Sequence, residues 1–132
     1  MESITLTRTG DRPLKFEGEE IASAGGRISG GQEQNRWHEL SLYHTAGGKY
    51  VLSIEYRTVW QGEIDHAQVT THGDAEDVTI ELKTYSPTAH VIGFPLGDQY
   101  AEKQGRLMEG LRARYEAAVS ELLASIEPEE IE

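Results

Sequence analysis

The sequence contains no cysteine, and this absence excludes several classes of protein at once. Disulfide frameworks, thiolate zinc sites and cysteine nucleophiles all need a residue that the chain lacks. No run approaches the ~18 consecutive apolar residues of a membrane span. Residues 1–5 show neither the basic nor the apolar region of a signal peptide. We therefore expect a cytoplasmic protein that does not enter a membrane.

Basic residues are also scarce, because 12 Lys and Arg stand against 23 Asp and Glu, for a formal net charge of -11. Residues 61–82 carry six carboxylates and no Lys or Arg, and so do the residues after Arg114. Nucleic acids and anionic membranes attract basic patches, so we expect direct binding to neither. The acidic surface either confers solubility or docks on a basic partner.

Glycine is concentrated between Ala24 and Asn35, in a stretch with Ile28 as its one large apolar residue. A phosphate-binding loop needs Gly-Lys before Ser or Thr and then a helix, and neither that motif nor a dinucleotide fingerprint is present. We expect residues 24–35 to form a flexible loop within a single domain of residues 1–127, followed by an acidic tail at 128–132. We expect no cofactor.

The stretch from Trp37 to Trp60 alternates apolar and polar residues on both sides of Ala46-Gly47-Gly48. A three-residue loop there places all the large aliphatic side chains on one face, whereas a two-residue loop divides them between faces. Gly47 or Gly48 can take the left-handed conformation that such a loop requires. The predicted pairs are His44 with Tyr50, Leu42 with Leu52, Leu40 with Ile54, and His38 with Tyr56.

Further strands extend this hairpin on both sides. Residues 3–8 alternate as a strand, and residues 14–21 predict two short strands or one bulged strand. A two-residue turn at Gln61-Gly62 predicts a strand over 64–70, with Tyr56 opposite Ala67 and His66 opposite Arg57. The central sheet is then an antiparallel meander of about four to six strands.

Two helices are predicted after the sheet. Asp74 is a good N-cap, and Val78, Leu82 and Tyr85 recur at helical spacing, although residues 78–82 also alternate as a strand would. We prefer a short helix over 75–85. From Asp98 an apolar stripe continues to about Ile126, which predicts a helix long enough to bend or overhang the domain. The expected fold class is α+β, with the meander packed on this long C-terminal helix.

Five histidines and several aspartates suggest a metal site. The predicted register disperses them, because it separates His38 from His44 along one strand and turns His66 to the other face. Only a local group of His66, His72 and Asp74 remains, and it defines one alternative function, a small metal-dependent hydrolase. Glu63 and Asp65, two apart on a strand, resemble the carboxylate pair of a glycosidase in spacing, but we expect both to be solvated.

The function that we favour from sequence is a non-catalytic protein-interaction module, acting as an accessory subunit, adaptor or inhibitor. We expect a protein partner or a homo-oligomer. The predicted contact residues are Trp37, Tyr43, Val91, Ile92, Phe94 and Leu96. A further alternative is a carrier of a small apolar ligand held between sheet and helix. Its predicted lining is Leu40, Leu52, Ile54, Tyr56, Leu107 and Leu111.

Overall fold

The computed structural model describes residues 2–26, 35–60, 62–92 and 98–126, with side chains in the last range described from residue 102 onward. Five antiparallel strands form one sheet in sequence order, followed by a short helix and a long one. The predicted α+β meander is confirmed. The elements are β1 (Glu2–Leu6), β2 (Leu14–Gly25), β3 (Arg36–Thr45), β4 (Tyr50–Thr58), β5 (His66–His72), α1 (Ala75–Thr84) and α2 (Asp98–Ala124).

The β3–β4 hairpin has the predicted register, from His38 opposite Tyr56 to His44 opposite Tyr50. Thr45 N donates to Lys49 O at 2.8 Å, which closes a three-residue loop. Gly48 takes the left-handed conformation, with φ of 85°. The alternation places Leu40, Leu42, Leu52 and Ile54 on one face, and that face packs against the helices.

Strand β2 is one long bulged strand, which is one of the two predicted forms. Its pairing with β3 shifts between Glu20 and Ala22. Such a bulge bends the strand. Beyond the turn after β1, Thr9 exchanges two hydrogen bonds with Ala67 of β5, N to O at 2.9 Å and N to Oγ1 at 2.8 Å. The segment after β1 is therefore bonded to β5, the strand at the other edge of the sheet.

The pairing of β4 with β5 corrects the prediction by one residue. Tyr56 lies opposite His66, and not opposite Ala67. The connection between these strands is longer than a two-residue turn, because Thr58 N donates to Asp65 Oδ1 at 2.9 Å and β5 begins only at His66. A one-residue shift exchanges the two faces of a strand. His66 therefore lies on the same face as Tyr56, whereas the predicted register placed Ala67 on that face and His66 on the other.

Helix α1 covers one end of the core. Asp74 accepts a hydrogen bond from Asp77 N at 2.8 Å, as an N-cap does, and Val78 and Leu82 are fully buried. The helical alternative for residues 75–85 is thus confirmed, with the last helical residue at Thr84.

Helix α2 packs with its second half, where five apolar side chains are buried against the sheet and α1. Leu107 in its first half is 49% exposed, so this half overhangs the core, which is one of the two predicted outcomes. Across the described ranges, no helix is long and apolar enough to cross a membrane. The buried residues of α2 are Leu111, Tyr115, Ala118, Val119 and Leu122.

Candidate functional site

A buried carboxylate, Glu63, ties together the end of the sheet where β3 begins and β4 ends. Arg36 donates to it from Nε at 3.0 Å and from Nη2 at 2.6 Å. Tyr56 Oη and Thr58 Oγ1 donate to Glu63 Oε1 at 2.6 and 2.9 Å, and the backbone N of Ile92 donates to Oε2 at 3.1 Å. The Glu63 side chain is 0% exposed. Donors from three segments of the chain, at residues 36, 56–58 and 92, therefore meet on the Glu63 carboxylate.

The electrostatics of this site hold Glu63 ionised. Burial raises its pKa, but the hydrogen bonds from Arg36 and Tyr56 outweigh burial and lower the pKa to about 2. The same contact with Glu63 raises the pKa of Arg36, and the Arg36 guanidinium lies 4.8 Å from the centre of the Trp60 ring. A carboxylate that is ionised and saturated with donors does not exchange protons near neutral pH. Glu63 is a structural anchor for this end of the sheet.

This geometry also corrects the view of Glu63 and Asp65 as a pair of solvated strand carboxylates. Glu63 lies before β5 and turns inward, whereas Asp65 has a half-exposed side chain 3.6 Å from Arg57. The signal in the sequence is Arg36, a basic residue at the same end of the predicted hairpin as Glu63. Its partner could not be named without the correct β4–β5 connection.

A buried histidine, His38, lies among three tyrosine rings on the helix side of the sheet. Its ring centre is 5.5 Å from Tyr56, 5.7 Å from Tyr85 and 5.0 Å from Tyr115. His38 is 4% exposed, and neither ring nitrogen has a hydrogen-bond partner in the described part of the chain. A buried polar atom without a partner costs about 1–3 kcal/mol. Such an atom calls for an explanation, and a ligand or water is one.

His38 is uncharged near neutral pH. Burial lowers its pKa to about 4, and the positive charges of His90 and Arg114 act in the same direction. A neutral imidazole offers one donor and one acceptor. The His38 ring can therefore donate one hydrogen bond and accept one, but both nitrogens are buried.

Two further histidines extend this cluster because of the corrected register. The His66 and His90 rings stack with their centres 3.9 Å apart, and His90 lies 5.7 Å from Tyr56. Burial, followed by the charge of His66, lowers the pKa of His90. The expected dispersal of the histidines is therefore wrong for His38, His66 and His90, which surround Tyr56. Within residues 2–26, 35–60, 62–92 and 98–126, however, no group of three or more His, Asp or Glu is arranged to hold a metal ion.

The residues of the predicted metal group lie in different places. His66 begins β5 and His72 ends it, about 20 Å away along a strand. His72 bonds Asp77 Oδ2 through Nδ1 and Thr70 Oγ1 through Nε2, each at 2.6 Å. Asp74 caps α1. His72 therefore lies near helix α1, and His66 lies at the opposite end of β5.

The predicted contact residues also separate. Tyr43 packs edge to face on Phe16 with ring centres 5.5 Å apart, so the N-terminal hairpin covers it in part. Trp37 is half-buried and Val91 is half-buried, whereas Ile92 is 50% exposed. Phe94 and Leu96 lie outside the described residues, as do residues 27–34 of the glycine-rich stretch and the tail at 128–132.

The predicted ligand-lining residues belong mostly to the packed interior. Leu40, Leu52, Ile54 and Tyr56 are at most 1% exposed, whereas Leu107 is half-exposed on the overhanging part of α2. Leu111 does line a cavity, of about 200 Å³, between β2, β3 and α2. A second cavity, of about 430 Å³, lies between the end of α1 and α2 and is lined in part by Lys83, Tyr85, Arg112 and Glu116.

Three exposed apolar side chains belong to the segments that bond the buried Glu63 or flank it in the chain. Val59 is 56% exposed, Ile64 is 77% exposed and Ile92 is 50% exposed. Ile64 follows Glu63 in the chain, Ile92 bonds it through its backbone, and Val59 follows Thr58, which also bonds it. We call these three residues the apolar patch.

Acidic side chains surround Arg57, which is two residues before Val59 of the apolar patch. Arg57 lies 3.4 Å from Glu39, 3.4 Å from Glu55 and 3.6 Å from Asp65, and all three carboxylates are at least one-third exposed. Asp65 follows Ile64 directly. One guanidinium therefore offsets three carboxylates, and the surface stays negative. Glu39, Glu55 and Asp65 are called the acidic group below.

Comparison of the chain with protein-family models, with curated proteins and with solved structures finds no significant match in any of the three. The function is therefore inferred from the geometry of the chain itself.

Proposed function

We propose that this protein is a non-catalytic cytoplasmic interaction module that binds a basic segment of a protein partner. The contact surface is the apolar patch together with the acidic group, and we call this combination the docking surface. The observation that carries the proposal is Ile64, an aliphatic side chain that is 77% exposed beside a carboxylate that is 0% exposed. The partner gains by burying Ile64 and its apolar neighbours.

Rigidity favours this surface over other exposed apolar residues. Glu63 holds the segments that carry Val59, Ile64 and Ile92 through hydrogen bonds of 2.6–3.1 Å. A surface that is already ordered loses little conformational entropy when a partner binds. The buried ion pair thus fixes three apolar side chains that are at least half-exposed in the isolated chain.

Charge selects the kind of partner. The chain has a formal net charge of -11, and the acidic group outnumbers Arg57 three to one. Two copies of such a chain repel each other, whereas a segment rich in Lys or Arg is attracted and oriented. A basic partner segment therefore fits the docking surface better than a second copy does.

The test is affinity capture from the native host, followed by calorimetry with the captured protein. We expect the partner to bind through a basic segment and its affinity to fall as salt is raised. The Ile64→Ser/Ile92→Ser double variant should lower the affinity by about ten-fold or more. Ile80→Ser is the matched control, because Ile80 is 54% exposed on α1 and lies outside the docking surface.

Three results would each overturn the proposal. One is the absence of any captured partner, with the protein emerging alone. Another is a captured protein whose affinity responds equally to Ile80→Ser and to the double variant. The third is self-association into a stable dimer through the docking surface, which would make a second copy the occupant.

A further inference from the structure

A small cavity on the helix side of the sheet is separate from the docking surface. It lies between the end of β2, the start of β3 and the middle of α2, and its volume is about 200 Å³. By liquid volume that is room for roughly seven waters, the size of a small metabolite. Gly25, which lines the cavity with φ of +86°, approaches the His38 carbonyl oxygen so closely that a Cβ there would clash with it.

Two polar side chains of this cavity, His38 and Arg114, carry buried nitrogens that have no hydrogen-bond partner within the described ranges. His38 is only 4% exposed, and both of its ring nitrogens lack a hydrogen-bond partner within the described ranges. Arg114, on the α2 side of the cavity, has a buried Nε that likewise lacks a partner there. Among the described residues no carboxylate lies within ion-pair distance of Arg114, whereas Arg106 and Arg112 on the same helix each have one.

The remaining walls are largely apolar. Trp37 and Leu111 line the cavity together with the small side chains Ala117 and Ala118, and Glu121 lies among the lining residues as an exposed carboxylate. A cavity with apolar walls and a few convergent polar groups is the usual form of a small-molecule site. The Arg114 guanidinium determines what charge that molecule carries.

We propose that this cavity binds a small organic acid, with its carboxylate on the Arg114 guanidinium and its apolar body against Trp37, Leu111 and the His38 ring. An arginine fork matches the two oxygens of a carboxylate. A small cation is repelled by Arg114. A phosphate dianion is opposed by Glu121 and by the net charge of -11, which a single guanidinium does not offset.

The experiment is calorimetric titration of the full chain with benzoate and with acetate, each compared with its own amide. NMR of the His38 ring reports the location of binding. We expect saturable binding of benzoate with a Kd of about 1 mM or tighter, a shift of the His38 resonances, and benzamide binding at least about ten-fold more weakly. Acetate should bind more weakly than benzoate, because it buries less apolar surface.

The matched variants are Arg114→Gln and Arg112→Gln, which change the net charge equally on one helix. Arg112 pairs with Glu109 at 3.7 Å and lines the other cavity. Arg114→Gln should weaken benzoate binding by about ten-fold, and Arg112→Gln by less than about two-fold. Circular dichroism verifies that both variants fold. The comparison of benzoate with benzamide uses the unaltered chain, so it tests the proposal even if a variant does not fold.

Several outcomes would overturn the proposal. They are no saturable binding of benzoate or acetate up to about 10 mM, equal binding of benzoate and benzamide, and equal loss in the two arginine variants. Binding that leaves the His38 resonances unmoved would also overturn it, because the acid would then lie elsewhere.

Discussion

Replacing Glu63 by glutamine removes one charge from the anchor beneath the docking surface and keeps the shape of the side chain. Arg36 then keeps its charge with a side chain only 12% exposed. The amide group of glutamine also presents donors where Arg36 and the Ile92 backbone N already donate. The substitution therefore breaks a buried pair and leaves its other member uncompensated.

The magnitude follows from the pKa of Glu63. A pKa of about 2 against an ordinary value of 4.5 corresponds to at most about 3 kcal/mol of stabilisation of the charged form. Because the anchor lies at the end of the sheet, solvent screens this interaction and reduces the stabilisation to about 2 kcal/mol. The uncompensated Arg36 adds to the loss, so we expect Glu63→Gln to lower the free energy of unfolding by about 3 kcal/mol.

Urea denaturation followed by tryptophan fluorescence measures this loss, since Trp60 stacks on Arg36. A loss of about 3 kcal/mol lowers the urea midpoint by about 1.5 M for a typical slope. Glu102→Gln is the control. It breaks the Arg106–Glu102 pair, whose side chains are 70% and 82% exposed, and should cost less than about 0.5 kcal/mol.

The pH dependence has a definite sign. The pKa of Glu63 is lower in the folded chain, so its stabilisation is present above pH 4.5 and is lost as the pH falls towards 2. The difference between wild type and Glu63→Gln should therefore shrink from pH 7 to pH 3. A loss below about 1 kcal/mol at pH 7, or a difference that does not shrink, would refute the role of Glu63 as an anchor.

The remaining predictions concern the core and the turns, and urea denaturation measures each of them. His38→Phe should leave the free energy of unfolding at pH 7 unchanged or higher. Because the pKa of His38 is lowered to about 4, wild type should lose about 2 kcal/mol relative to this variant between pH 6.5 and pH 4.5. A difference that stays constant over this pH range would contradict the prediction. Gly25→Ala should lower the free energy of unfolding by about 3 kcal/mol, because the new Cβ would meet backbone atoms. Gly10 also has a positive φ, of 78°, but it faces open space, so Gly10→Ala should lower the free energy of unfolding by about 1 kcal/mol. Equal losses would argue against the close approach at Gly25. Asp74→Ala should cost about 1 kcal/mol and Asp74→Asn much less, and equal losses would show that capping of α1 is not the cause.

The parts of the fold that were predicted correctly depend on local periodicity. The β3–β4 register followed from the requirement that Leu40, Leu42, Leu52 and Ile54 share one face, and the structure confirms it. The N-cap at Asp74 likewise needs only its own neighbours in the chain. Such features are determined within a few residues, so a single sequence is enough to find them.

The parts that were missed depend on long-range contacts. The β4–β5 register was wrong because Glu63 turns inward to Arg36, which lies 27 residues away in the chain. No local rule distinguishes such a carboxylate from a solvated one on a strand. The clustering of His66 with His90, and the cavity that joins His38 to Arg114, were missed for the same reason. The candidate sites lie where distant segments meet, and there sequence periodicity carries little information.

Hydrogen exchange of the free and partner-bound chain is the most direct measurement of the central claim, that the docking surface is where a basic partner segment binds. The account predicts that the partner slows amide exchange in residues 57–66 and at Ile92, and leaves the second half of α2 unchanged. Slowed exchange confined to α1 and α2, with residues 57–66 unaffected, would contradict it.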